Sequence, residues 1–467
     1  MMRRRVPLLL ATACALALAA CSSASGPASG PASGPGSSQG TGGSPAATGA
    51  GSSATAGGNL AASDLTAAEI AWAASYLGSK PGAANPSLSP VVIGYVNQQG
   101  GTLSFPEATA AVNATVKFIN DKLGGIDGHP LVTHQCLAAG PQDVQSCGVQ
   151  MANDTAVKSI IIPLLLLDNQ AFYSAIGGKK PMIDNALFFP VDLTTPNVYS
   201  FGQGGSVSAV GLAVFATKIL NVKRVAIIRT DNPAGLAAAQ AETAVLKSYG
   251  ATVTDVPVPE PGTAPQYTEA INQAGLGQGD AIDLALTSIG QATAYDALQS
   301  LGLRNIDVLS AELALLPPMP GHLKSLGLKD DVFPNNWYMS DQGYTAAMPT
   351  THSDGANVFT AMMHQYAPDA PSVYGEAPTG FEETLEMAKF LIEDGGPAAT
   401  SAGIAQKIKS FAGPAVMAAG PVKCGAIAQE PNLCVFGLGW EQRVNGQWIS
   451  VADGLNGKAI DILNAAP

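Results

Sequence analysis

From Val91 onward, short runs rich in β-branched residues alternate with stretches of helical periodicity. That alternation restricts the chain to parallel strands covered by helices. "VVIGYV" at 91–96 leads into a helix over Phe105 to Leu123, then "LVTHQ", a helix over Asp143 to Asn153, and "SIIIPLLL". In the first helix Val112, Val116, Ile119 and Leu123 share one face, the spacing of a helix laid on a sheet. "LGGID" closes it, with Gly124 and Gly125 placed for a left-handed cap that costs glycine least. Leu164 to Leu167 read as the end of a buried strand, of which only the tip can line a pocket.

After "PMIDNA" and "NVYSFG" the rhythm restarts: a helix over Ser206 to Leu220, strand "RVAIIRT", a helix over Ala234 to Tyr249, and strand "TVTDVPVP". It continues through "AIDLALT", a helix over Gln291 to Leu301, "IDVLSA" and "NWYMSD". Two successive α/β units are expected. The helices over Asn357 to Tyr366 and Thr379 to Glu393, and a terminal run with a hairpin turn at Asn445-Gly446, are too few for a third unit and must dock on the first two.

The amino-terminal segment has a different character. Arg3, Arg4 and Arg5 precede a short apolar stretch, Val6 to Ala20, that ends in small residues: an export signal. Leu18-Ala19-Ala20-Cys21 resembles the bacterial lipobox, so Cys21 would become the lipidated first residue; cleavage nearby without lipidation is the alternative. Ser22 to about Gly58 is dominated by Ser, Gly, Ala, Pro and Thr, too little apolar surface to offset the entropy of ordering. As a flexible tether of roughly 37 residues it would reach on the order of 35 Å.

About 410 residues remain, more than one core usually organises. A formal charge of −12 and a pI near 4.8 oppose nucleic acid as a partner and adhesion to anionic lipid. Cys14 and Cys21 belong to the signal, leaving Cys136, Cys147, Cys424 and Cys434 for disulfides outside the cell. Nearest-neighbour pairing gives Cys136–Cys147 and Cys424–Cys434, one of three possible connectivities. Zinc is disfavoured, because no CxxC occurs and His129 and His134 lack ligand spacing.

Several stretches resemble the branched-chain amino-acid-type substrate-binding proteins of ABC importers. These are "IGYV", "AAVNATVKFINDKLGGIDGHPLV", "GLAVFATKILNVKRVAIIRTDNPAGLAAAQAETAVLKSYGATVT", "YDALQSLGL" and "GPAVMAAGPV". Their order from Val91 to Ser450 carries the likeness more than any one piece. The resemblance implies an α/β chain of the type I periplasmic-binding-protein fold: two Rossmann-like lobes with a ligand cleft between them. Three crossovers are expected near Phe201 to Gly205, Ser340 to Tyr344 and Pro414 to Pro421. The implied division is a signal at 1–21, a tether at 22–58 and a partly helical extension at 59–87. The first lobe takes 88–203 and 343–418, the second 204–342 and 419–467. It also implies an exported, lipid-anchored monomer on the outer face of the cytoplasmic membrane, with a small-molecule ligand, permease subunits as partners and no cofactor.

Loops at strand carboxyl ends should face the cleft. The family's amino-acid binders hold the ligand carboxylate with hydroxyls and amides of the first lobe, but here the corresponding stretches read "PLLLLDNQ" and "DNALFFP". Asp168, Asn169 and Asn185 become the candidates there, with Phe105 near a cleft aromatic; Asp168 and Asn169 read equally as a helix cap. In the second lobe the candidates are Asn232, Thr287 and Glu312, which falls near the acid that pairs with a ligand ammonium, and Tyr374 completes the set. Glu312 reads equally as an exposed loop carboxylate. The ligand could be an amino acid, an amide or a short acid.

The one GxSxG match, Gly36-Ser37-Ser38-Gln39-Gly40, falls in the tether rather than at a strand-to-helix turn, no HExxH or GxxxxGK[ST] occurs, and the five histidines fall in turns, strands and surface-like segments. Binding is therefore expected rather than catalysis. A sensing lipoprotein of the same fold with a separate signalling partner is the alternative, and a tethered enzyme is a more distant one. If Cys21 carries the anchor, Cys21→Ala should release the protein from membranes; a variant that stays bound after a high-salt wash would refute the assignment.

Overall fold

The computed structural model describes residues 63–465, apart from 102, 186, 203, 312–315, 317, 329–335, 342–353, 418–419, 445–446 and 451–458. The signal, the tether, Cys21, Glu312 and the Asn445-Gly446 turn lie outside the described residues.

The chain opens with α1 (Ala67–Leu77), started by a reciprocal Thr66–Glu69 capping box. A first α/β unit follows: β1 (Val91–Gln98), α2 (Pro106–Lys122), β2 (Leu131–Ala138), α3 (Pro141–Asn153), β3 (Val157–Ile162), α4 (Asn169–Ile176), β4 (Met182–Asp184), α5 (Pro190–Thr194) and β5 (Val198–Tyr199). Its strands form a parallel sheet in the order β2-β1-β3-β4-β5.

The second unit comprises α6 (Gly205–Val214), which runs into a π-turn at Phe215–Ile219, then β6 (Arg224–Thr230), α7 (Pro233–Ser248), β7 (Thr252–Val258), α8 (Ala264–Ala274), β8 (Ala281–Ala285), α9 (Ser288–Ser300), β9 (Asp307–Ala311), α10 (Pro318–Ser325) and β10 (Trp337–Asp341). The order β7-β6-β8-β9-β10 repeats that of the first sheet. Both are doubly wound, with the strand order reversing beside the first strand of each unit.

The remaining elements complete these two bodies. Helices α11 (Asp354–Tyr366), α12 (Ala377–Glu393) and α13 (Ser401–Ser410) return to the first sheet, where Phe359, Phe381, Leu385 and Phe390 share a core with Ile93, Phe118 and Ile161. Strand β11 (Gly437–Val444) pairs antiparallel with β10, and β12 (Gln447–Ser450) and β13 (Ile460–Asp461) pair with β11. Gly211 lets α6 lie against β11, since a Cβ there would collide with Leu438. Beside it Phe215 stacks on Trp440 with ring centroids 4.3 Å apart.

Two sequence expectations change. The strand read as "SIIIPLLL" ends at Ile162, before Pro163, whose missing N–H cannot continue the ladder. Leu164 to Leu167 therefore form the loop at the strand's carboxyl end. The third crossover was expected at Pro414 to Pro421, yet the chain stays on the first sheet longer. Ser200 N donates to Asn432 O at 2.8 Å and Cys434 N to Ser200 O at 2.9 Å, so residues 432–434 line that sheet's edge before Gly437 enters the second.

Cys136 and Cys147 form one disulfide, between β2 and α3, and Cys424 and Cys434 form the other. Each closes a short loop, of sequence separation 11 and 10. Replacing Cys136 and Cys147 together by serine should lower stability by about 2–3 kcal/mol in chemical denaturation, within the usual range for such loops. Non-reducing peptide mapping should recover the two pairs uncrossed.

Candidate functional site

The carboxyl ends of β1 and β3 flank the point where the first sheet reverses, the place where open α/β sheets bind ligands. An apolar cluster sits there apart from the large cores: Phe105, 5% exposed, and Leu164, 2% exposed, with half-buried Leu103 and Leu166. Gln98, the last residue of β1, holds the two contributing loops together. Its Oε1 accepts from Leu166 N at 2.9 Å, its backbone N donates to Leu164 O at 3.1 Å, and its backbone O accepts from Phe105 N at 3.0 Å. Sequence reading singled out Phe105 but not Gln98, whose role is set by partners far along the chain.

Beside this cluster a depression of about 600 Å³ is lined by Leu166, Leu167, Asp168, Asn169, Phe189 and Val191, among others. Asp168 caps α4, its Oδ1 accepting from Ala171 N at 3.1 Å. Asn169 is buried and donates from Nδ2 to Asp192 Oδ1 at 3.0 Å, tying α4 to α5. Asn185 is fully buried: its N donates to Glu383 Oε1 at 2.9 Å and its Oδ1 accepts from Phe201 N at 2.8 Å. Its placement is that of a tie between β4, α12 and the chain leaving β5, rather than a side chain open to the cleft.

In the second lobe Asn232 caps α7 through Gly235 N at 2.8 Å, and Thr287 caps α9. Thr287 also donates from its backbone N to Glu260 Oε1 at 2.9 Å, and its hydroxyl bonds the same oxygen. Large apolar side chains remain exposed in the first turns of these helices, Leu236 at 41% and Ile289 at 55%.

Tyr374 packs on the core that the second sheet shares with α8, α9 and α10. The next residue, Gly375, has φ +66, and a Cβ on it would lie 2.7 Å from Leu316 Cδ2 and 2.9 Å from Glu107 Oε1. Leu316 belongs to the second lobe and Glu107 to α2 of the first, so this glycine sits where the lobes meet.

The four described histidines bond elsewhere: His129 to Ser89 O, His134 to Asp154, His322 to Asp296 and His364 to Asp64. Among the described residues no three His, Cys, Asp or Glu side chains converge as metal ligands.

Sequence reading missed the buried acids at this junction. Glu107 Oε1 accepts from Glu376 N at 3.4 Å, and Glu376 Oε2 is buried without a partner. Burial lifts Glu107 to about 7, and burial beside Glu107 lifts Glu376 to about 8, from an ordinary 4.5. Acids raised in this way hold protons that the unfolded chain releases, so they make stability fall as pH climbs from about 4.5 to about 8. Glu376→Gln should therefore flatten the pH profile and gain on the wild type by at least ~1.4 kcal/mol at pH 9. Parallel profiles in denaturant titrations at pH 5, 7 and 9 would refute this.

The family model of periplasmic binding proteins matches residues 90–442. No curated protein matches the sequence significantly. Among solved structures, the branched-chain amino-acid transporter substrate-binding protein LivJ of Streptococcus pneumoniae, in complex with isoleucine, superposes with a TM-score of 0.61 at 14% identity, covering 80% of this chain and 99% of its own. A solute-binding protein of an R. palustris ABC transporter, in complex with 4-hydroxybenzoate, gives 0.61 at 16% identity over 80% of this chain and 96% of its own. A fatty acid ABC transporter substrate-binding protein from Thermomonospora curvata gives 0.62 at 14% identity over 83% and 97%. These likenesses extend through both sheets, and with the family match across 90–442 the chain belongs to the periplasmic binding proteins, of the type I fold.

Proposed function

We propose that this protein captures a small solute between its two lobes outside the cytoplasm and delivers it to an ABC permease. The observation that carries this reading is the pair of doubly wound sheets in one chain, each with its ligand-binding edge formed by loops and first helical turns. The kinship with solute-binding proteins of ABC transporters supports the transport role over a catalytic one. In this reading Cys21 holds the lipid anchor, Ser22 to about Gly58 give the body its reach, and the protein works as a monomer. Phe105, Asp168, Asn232 and Thr287 stand at the cleft edges, and Glu312 is the partner for any ligand ammonium.

Binding should shift an open–closed population and raise apparent stability by mass action. In a thermal-shift screen of the purified full chain, a true solute at a hundredfold over its dissociation constant should add roughly 2.7 kcal/mol. X-ray scattering should show contraction with the same compound. Glu312→Gln should weaken a ligand that carries an ammonium group and leave an uncharged one nearly unaffected. Steady turnover of a solute, or no response to any, would defeat the proposal.

A further inference from the structure

We infer that Glu430 and Asn432, carried on the loop that Cys424–Cys434 closes, are positioning residues that clamp the hinge between the lobes. The inference rests on the solute-capture reading above, because capture requires the lobes to move. The chain first passes from one sheet to the other between β5 and α6, and α6 begins without a cap of its own. Its N-cap is Gly204, which has no side chain to offer. The acceptor comes from 224 positions further on. Glu430 Oε2 accepts from Ser206 N at 3.0 Å and from Ser206 Oγ at 2.7 Å, placing a carboxylate at the positive end of the helix that opens the second lobe. The approach is close. Gly205 has φ +47, and a Cβ on it would lie 2.8 Å from Leu193 Cδ2 and 2.9 Å from Glu430 Oε2.

Two residues later the same loop holds the first lobe. Asn432 is buried; its Nδ2 donates to Asp192 O at 2.6 Å and to Thr195 O at 2.9 Å, at the end of α5, and its O accepts from Ser200 N at 2.8 Å, just after β5. Asp192 in turn accepts from Asn169 Nδ2 at 3.0 Å and from Phe189 N at 2.7 Å, so α5 joins the wall of the depression to the loop. Residues 425–433 contain no helix and no named strand. Their shape is fixed at the base, where Cys424–Cys434 closes the loop, Lys423 N donates to Cys434 O at 2.6 Å and Phe436 N to Pro421 O at 3.0 Å. Without the crosslink, ordering so irregular a loop to present two side chains costs more conformational entropy. One loop thus grips both lobes beside a passage whose few residues must absorb the change when the lobes close.

The test reads lobe separation in the unliganded full chain by pulsed electron paramagnetic resonance, with spin labels introduced at exposed residues of each lobe, Gln145 on α3 and Lys247 on α7. Glu430→Ala should at least double the width of the distance distribution. Glu430→Gln, which keeps an acceptor for Ser206, should retain the wild-type width. Cys424→Ser combined with Cys434→Ser should broaden the distribution as Glu430→Ala does. Cys136→Ser combined with Cys147→Ser removes a disulfide at the opposite edge of the first sheet and should leave the width unchanged. If Glu430→Ala keeps the wild-type distribution, or if the Cys136 and Cys147 pair broadens it equally, the inference is overturned. Should the Cys424 and Cys434 pair fail to fold, the two Glu430 variants decide. Unchanged distances would overturn the clamp and leave solute capture standing, whereas a silent solute screen would defeat capture and leave the clamp to stand on the distances.

Discussion

The first sheet depends on a helix that the chain supplies late. Helix α12 returns after β10 and buries Phe381, Leu385, Phe390 and Leu391 against β-strand residues laid down some two to three hundred positions earlier. It also carries Glu382, Glu383 and Glu386 into the interior. Burial raises Glu383 and Glu386 well above the ordinary carboxylate range, which favours the uncharged form in the interior. Each then serves as a tie: Glu383 Oε1 accepts from Asn185 N at 2.9 Å, and Glu386 Oε1 from Val416 N at 3.2 Å. The loop after β4, at the edge of the candidate site, is therefore positioned by the far end of the sequence.

That dependence separates what could be read from the sequence from what could not. Strand β6 was legible from end to end because "RVAIIRT" is a compact apolar run with polar borders, and α2 was legible from its apolar face. Helix starts were less so. Proline occupies the first position of α2, α3, α5 and α7, a signal independent of the apolar stripe, and periodicity alone set those starts a residue or more off or omitted α5. The third passage between lobes escaped because Leu433 meets Ser200, and Val422 meets Val435, only as isolated bridges, which leave no alternating pattern.

Asp168 was read as a cap as well as a ligand candidate and does cap α4, whereas Asn232 and Thr287, read only as ligand candidates, turn out to cap α7 and α9. The partner of Asn185, 198 residues away, has no local signature. Long-range polar pairs of this kind become visible only when the fold has brought the elements together.

The apolar side chains left at the cleft edges bear on selectivity. If the solute is apolar, recognition at this cleft comes from area and shape rather than directed hydrogen bonds. Each 100 Å² of apolar surface removed from water contributes about 2.5 kcal/mol, whichever molecule supplies it. One methylene more or less changes binding by only ~1–3 kcal/mol in such a pocket, and a hydrophobic site rejects an added hydroxyl weakly. Strong discrimination would fall only on molecules that bring an unpaired charge. Between uncharged solutes of similar size the lobes would distinguish little, since closure responds only to the difference in affinity between the open and closed states. In that case a cleft edged by Leu103, Phe105 and Leu166 would suit a group of related apolar solutes more than one compound.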